Sequence, residues 1–255
     1  MAILIVLPSA VSPREDAIQL YKAFKGFGSD DAAVIGILAH RDATQRAYIQ
    51  QEYKTMYSED ILKRLSAEHS GKLEVFLLWM LDPAQRDAKI LIDALSPDCI
   101  DLEAVTEVRC SRTSLQLQTL KQIYHSTCGT YLEHDIELQA SRDHQKILLA
   151  CVNKPRYEGP EVDREMAAKD AKALYKAGEK KLGTDFVKIF SERSNAQLIA
   201  INTCYHDMYG GSLKKVIKKE TSGLFEHALL TILQCAENTA KYFAKVKSLV
   251  NHRSV

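Results

Sequence analysis

The sequence predicts an all-α protein built from three copies of one helical unit of about 70 residues. Three observations carry this. The pairs His40-Arg41, Ser111-Arg112 and Glu192-Arg193 each precede a helical pattern containing a tyrosine, at Tyr53, Tyr124 and Tyr205. Arg41 to Arg112 and Tyr53 to Tyr124 both span 71 residues, while Arg112 to Arg193 and Tyr124 to Tyr205 both span 81. Ile61, Leu132 and Leu213 keep that register, as do Leu65, Ile136 and Ile217. Apolar residues recur at helical spacing throughout, with no alternating strand pattern. Glycine-rich turns punctuate the first and third copies and are missing from the second.

In the first unit, Pro13 and the acidic pair Glu15 and Asp16 suit the positive N-terminal end of a helix. Ala17, Leu20, Tyr21 and Phe24 form its apolar face, and glycines at 26 and 28 stop it. Ser29 or Asp30 caps a second helix whose Val34, Ile35, Ile37 and Leu38 point inward. Residues 43–56, 58–67 and 71–80 read as three more helices. The unit therefore has five, over residues 14–84.

The second unit, 85–155, begins near Gln85-Arg86-Asp87, and its first loop, 96–101, has no glycine. Gln139 stands opposite Glu68, and Ser141-Arg142 opposite Ser70-Gly71. A connector at 153–160, marked by two prolines and a glycine, leads into the third unit, so that linker and unit together span 156–245. There the glycine turn returns at 178–184 and the acid returns as Glu220. Arginine to acid is 27 residues in both units, but Gly28 to Arg41 is 13 and Gly183 to Arg193 only 10. Three residues are thus missing opposite Asp31, Ala32 and Ala33. That removes roughly 4.5 Å of helix and a rotation about 60° short of a full turn. Phe186, Val187, Ile189 and Phe190 still face the core if the helix starts later, which shifts the loop carbonyls. The tail, 246–255, leaves the repeat pattern and is expected to fray.

Bulk properties exclude several classes. A net charge of +1 argues against a general nucleic-acid binder. Six cysteines without a C-x-x-C pair fit reduced thiols in a cytosolic protein. The apolar run at 2–7 lacks the length and basic flank of a signal peptide. No apolar run reaches the ~20 residues of a membrane span, so a membrane role is expected to be peripheral. No G-x-x-x-x-G-K-[ST] motif supports a P-loop, and no nucleophile–base pairing suggests hydrolysis. Trp79 lies in an apolar helix and reads as core, and Lys214, Lys215, Lys218 and Lys219 read as a solvated face that also suits an anionic surface.

Lys25-Gly26-Phe27-Gly28-Ser29 with Glu68-His69-Ser70-Gly71, and Lys181-Leu182-Gly183-Thr184 with Glu220-Thr221-Ser222-Gly223, resemble the annexin repeat in the plant style. The resemblance runs from about Asp16 to Lys245. It implies calcium-dependent binding to anionic phospholipid membranes, without an enzymatic role. It also implies two Ca²⁺ sites. The carbonyls of Phe24, Gly26 and Gly28 with the Glu68 carboxylate would form one, and those of Gly178, Lys181 and Gly183 with Glu220 the other. The chemistry agrees, since carbonyl oxygens plus a bidentate carboxylate are hard ligands suited to Ca²⁺. One formal charge per shell implies ~10⁻⁴ M affinity or weaker without a membrane. Open positions would take a lipid phosphate oxygen, with Lys25 and Lys181 beside the anionic headgroup. Either glycine turn alone reads as an ordinary helix C-cap. Two copies, each with its acid in register, favour the ligand reading.

The resemblance also carries an alternative, a peroxidase-like redox enzyme using His40 and the pair Cys110 and Cys235. Where that proposal needs a methionine, Thr106 stands, and a packing histidine and buried inert thiols are the better expectation. Family members usually carry four repeats and this sequence holds three. In the family the first repeat packs on the fourth. The resemblance therefore leaves a second alternative, a truncated isoform with weakened membrane binding, and implies lower stability and an exposed first-repeat face open to self-association or a partner.

Overall fold

The computed structural model describes residues 12–25, 30–67, 78, 80–180 and 183–253. Among them every regular element is an α-helix. The chain divides into two compact units, residues 1–86 and 87–255, each with its own apolar core.

The first unit holds α1 (Pro13–Phe24), α2 (Asp31–Leu38), α3 (Ala43–Tyr57) and α4 (Ile61–Ala67). Ser12 caps α1, accepting from the Glu15 amide at 3.4 Å, and Asp30 caps α2, accepting from the Ala33 amide at 3.0 Å. The choice between Ser29 and Asp30 thus falls on Asp30. Asp42 and Gln45 form a reciprocal capping box at α3. Ala17, Leu20, Phe24, Val34, Leu38, Ile49, Tyr53, Ile61 and Leu65 interlock as the core. The predicted helix over 71–80 lies outside the described residues apart from Leu78 and Met80.

The second division begins inside α5 (Pro83–Ala94) and continues with α6 (Leu102–Ser111), α7 (Ser114–Cys128), α8 (Leu132–Gln139) and α9 (Arg142–Asn153). The connector follows, its Arg156 amide held by the Ser114 hydroxyl at 3.1 Å. Then come α10 (Arg164–Lys180), α11 (Gly183–Glu192), α12 (Asn195–Tyr209), α13 (Leu213–Glu220) and α14 (Gly223–Arg253). Helix α14 kinks at Asn238, whose φ −170° and ψ 103° leave the helical region, and the Asn238 side chain then caps the continuation through the Lys241 amide at 2.9 Å. Beyond the kink, Tyr242 returns to bond Thr231 at 3.1 Å and Glu107 at 3.2 Å. The helix runs on to Arg253, past the point near Lys245 where fraying was expected.

The sequence register reappears in the backbone. Ser58, Gly129 and Gly210 are equivalent, and each ends its helix in the left-handed region, at φ 52°, 75° and 68°. This corrects the expected helix start at 58: Ser58 closes α3, and α4 begins at Ile61 after Asp60, whose carboxylate accepts from the Leu62 amide at 2.9 Å. Each repeat also carries one bidentate guanidinium–carboxylate pair: Arg41 with Asp16, Arg112 with Asp87 and Arg193 with Asp170.

A left-handed non-glycine residue costs about 1–2 kcal/mol, partly offset by the greater chain entropy glycine would lose. Ser58→Gly is therefore expected to stabilise the protein by about 0.5 kcal/mol or more and raise Tm by about 2 °C, measured by thermal unfolding. A lower Tm would contradict the helix-capping role.

Candidate functional site

The first and second repeats close their leading loops in the same way. The Asp30 amide donates to the Ala23 carbonyl at 2.9 Å, and the Asp101 amide to the Ala94 carbonyl at 2.8 Å. Asp30 and Asp101 then each cap the next helix at 3.0 Å. Glycine is thus unnecessary for closing the loop. The third repeat differs: α10 runs to Lys180 and α11 starts at Gly183, so only residues 181–182 separate them. The three missing residues are absorbed by a longer first helix and a contracted loop. Gly178, expected in a turn, lies within the last turn of α10.

Of the predicted first-site residues, Phe24 is the last residue of α1 and is buried, while Gly26, Gly28 and Glu68 lie outside the described residues. Lys181 does so as well. The remaining third-site residues converge. Gly183 and Glu220 line one cleft of about 390 Å³, with Ser141, Arg142, Asp143 and His144 from the second repeat and Phe186 and Phe225 at its apolar side. Glu220, the last residue of α13, folds its side chain over Gly178: a Cβ at 178 would meet its Cγ at 3.3 Å and Val216 Cγ1 at 3.5 Å. The absence of a side chain at 178 is what permits this approach. Glu220 is otherwise paired with the exposed Lys219 at 3.0 Å.

A second carboxylate enters the cleft that the sequence did not single out. Asp143 lies against Gly183, where a Cβ would come within 2.5 Å of its Oδ2 and 2.8 Å of its Cγ. It is held by Lys146 at 2.9 Å. Asp143 follows Arg142, which takes φ 54° where the third repeat has Gly223 at φ 61°. The repeat register offered one signal, since Arg142 stands at a glycine position, but contact with Gly183 arises only in three dimensions.

The cleft has an electrostatic division. The C-terminal end of α10, which includes Gly178, and that of α13, where the Ile217 carbonyl accepts from the Thr221 amide at 2.9 Å, are the negative ends of their helices. The N-termini of α9, α11 and α14 present the positive ends. Backbone oxygens and a carboxylate thus stand beside positive helix ends, a set that fits a Ca²⁺ ion next to an oxyanion. The second repeat loses the carboxylate to Gln139, and the Gln145 amide donates to the carbonyls of Glu137 and Ala140 at 2.9 and 3.1 Å, using acceptors at that helix end.

The redox candidates are placed differently. His40 Nδ1 hydrogen-bonds the Gly36 carbonyl at 2.8 Å, serving the end of α2. Cys110 and Cys235 are buried, and burial pushes both thiols up, Cys235 to about 11. Thr106 bonds the Leu102 carbonyl at 2.6 Å and His144 Nε2 at 2.8 Å. Reactive thiols need the opposite shift, toward thiolate at neutral pH. Among the described residues no helix is long and apolar enough to cross a membrane.

His144 borders the cleft, and its burial, with the His227 charge nearby, pushes its pKa down to about 4. Unfolded, it would titrate near 6.5. The folded state thus binds fewer protons between those values, and stability falls as pH drops from about 6.5 to about 4. Thermal melts should show that loss reduced in His144→Gln; equal pH profiles would contradict the buried neutral imidazole.

An annexin family model matches residues 15–80, 86–151 and 169–232. Annexin D5 of Arabidopsis thaliana is 48% identical over 249 residues, covering 96% of this chain and 79% of that protein. The solved structure of annexin A8 superposes with a TM-score of 0.84 at 33% identity, covering 94% of this chain and 77% of the other. Calcium-bound annexin (Sm)1 gives a TM-score of 0.73 at 25% identity, covering 89% and 70%.

Proposed function

The chain belongs to the annexin family, and from that membership we propose that it binds anionic phospholipid membranes when Ca²⁺ is present. The observation that carries this reading is that Glu220 closes over Gly178 and lines one cleft with Gly183, the two glycines at the facing ends of α10 and α11. Family membership supports Ca²⁺-dependent phospholipid binding in general, and one structural neighbour is calcium-bound.

In the third repeat, Glu220 with the carbonyls of Gly178, Lys181 and Gly183 would hold the ion, and in the first repeat Glu68 with the carbonyls of Phe24, Gly26 and Gly28. A bound Ca²⁺ supplies open coordination positions for a lipid phosphate oxygen. The protein's part is to aim oxygens at one point. Glycine at 178 lets the carboxylate come down on the helix end, and the C-terminal ends of α10 and α13 favour a cation there. The adjoining N-termini of α9, α11 and α14 favour the phosphate. Lys219, paired with Glu220, must release the carboxylate when the ion binds, which keeps lipid-free affinity low. Only residues 181–182 separate α10 from α11.

Co-sedimentation with phosphatidylserine vesicles tests this. The wild type should sediment in Ca²⁺ and be released by chelator. Glu68→Gln should remove the larger share of binding, Glu220→Gln a smaller share, and the double variant nearly all of it. Binding that survives chelation, or a folded double variant that sediments like wild type, would overturn the proposal.

A further inference from the structure

Arg109 lies in α6 at the register position of Leu38 in the first repeat and Phe190 in the third. Both counterparts are fully enclosed apolar side chains, at 0% exposure. Arg109 is almost as enclosed, at 3%, yet carries a guanidinium. Its Nε has no hydrogen-bond partner among the described residues. A buried, uncompensated charge is strongly unfavourable, so such a side chain calls for a counter-charge.

The guanidinium borders a cavity of about 30 Å³. Four cationic side chains line it: Arg109, Arg112, Lys154 and Arg156. Arg112 is neutralised by Asp87, its second bond being 2.8 Å, and Lys154 by Glu192 at 3.3 Å. Among the described residues Arg156 donates to neutral acceptors, Asn195 Oδ1 at 2.6 Å and the Phe190 carbonyl at 3.4 Å. The lining carboxylate, Glu158, accepts from the Ser114 amide at 2.6 Å. Glu133, whose charge also acts on Arg109, is paired with Lys121. Among the described residues the two guanidiniums at the cavity therefore face one lining carboxylate, and one negative charge is missing. The neighbouring thiols cannot supply it, because burial pushes Cys110 and Cys151 up and keeps them protonated.

We infer that this cavity binds a small monovalent anion of about the size of chloride, held by Arg109 and Arg156. A water needs roughly 10–15 Å³ of such space. The cavity thus admits one monatomic anion or about two waters, and only the anion supplies the missing charge. This site is separate from the Glu220 cleft, and it does not depend on Ca²⁺ or lipid.

Thermal unfolding at constant ionic strength, with chloride replacing the bulkier gluconate, tests the inference. The wild-type melting temperature should rise saturably with chloride. Arg109→Leu, which installs the first-repeat residue, should fold and lose that response. Arg156→Gln should raise the chloride needed for half the effect by about tenfold, equivalent to about 1.4 kcal/mol. In crystals grown with bromide, an anomalous peak should sit within hydrogen-bond distance of the Arg109 guanidinium. Identical melting of wild type in chloride and gluconate, or an undiminished response in Arg109→Leu, would overturn the proposal.

Discussion

The geometry of every repeat depends on one bidentate guanidinium–carboxylate pair that ties its first helix to the turn after its second. Asp16, Asp87 and Asp170 have side chains 6, 7 and 9% exposed, so each carboxylate relies on its arginine. Hydrogen bonding to the aspartate raises the pKa of Arg41, Arg112 and Arg193, so each guanidinium keeps its charge. Two parallel bonds fix orientation as well as distance. Removing one partner would leave a largely buried charge uncompensated, a costly change. Because each pair spans the loop between the first two helices, it limits how that loop can vary. Aspartate and arginine are 25 residues apart in the first two repeats and 23 in the third. The third repeat satisfies the same clamp with a two-residue loop and a first helix extended to Lys180.

That constraint explains which parts of the structure were legible in the sequence. The repeat period, the helical class and the capping residues follow from local patterns, and the register reappears as left-handed backbone at Ser58, Gly129 and Gly210. Ser58 was misread because a serine before an acidic pair resembles an N-cap, whereas its φ of 52° makes it the end of the preceding helix. The deletion in the third repeat was visible, but not that α10 would run on through Gly178 to Lys180. Asp143 was invisible because it belongs to the second repeat's sequence and reaches Gly183 only through packing. Arg109 was visible in register, opposite Leu38 and Phe190, but a basic residue in an amphipathic helix reads as solvated unless its burial is known.

The membrane and redox readings ask for different chemistry. His40 is engaged with a backbone carbonyl, and Cys110 and Cys235 are thiols disfavoured from ionising. Glu220 and Asp143, by contrast, converge on two glycines at the ends of α10 and α11. Backbone carbonyls and a carboxylate there suit a hard cation, and the adjoining amide-rich helix ends suit a phosphate.

The proposed function requires linkage between Ca²⁺ and lipid, which Ca²⁺ titration by calorimetry with and without phosphatidylserine vesicles measures. Without vesicles the expected Kd is ~10⁻⁴ M or weaker. With vesicles binding should be at least about tenfold tighter, and Ca²⁺ should raise vesicle affinity by the same factor. Equal Ca²⁺ affinity in both conditions would contradict it.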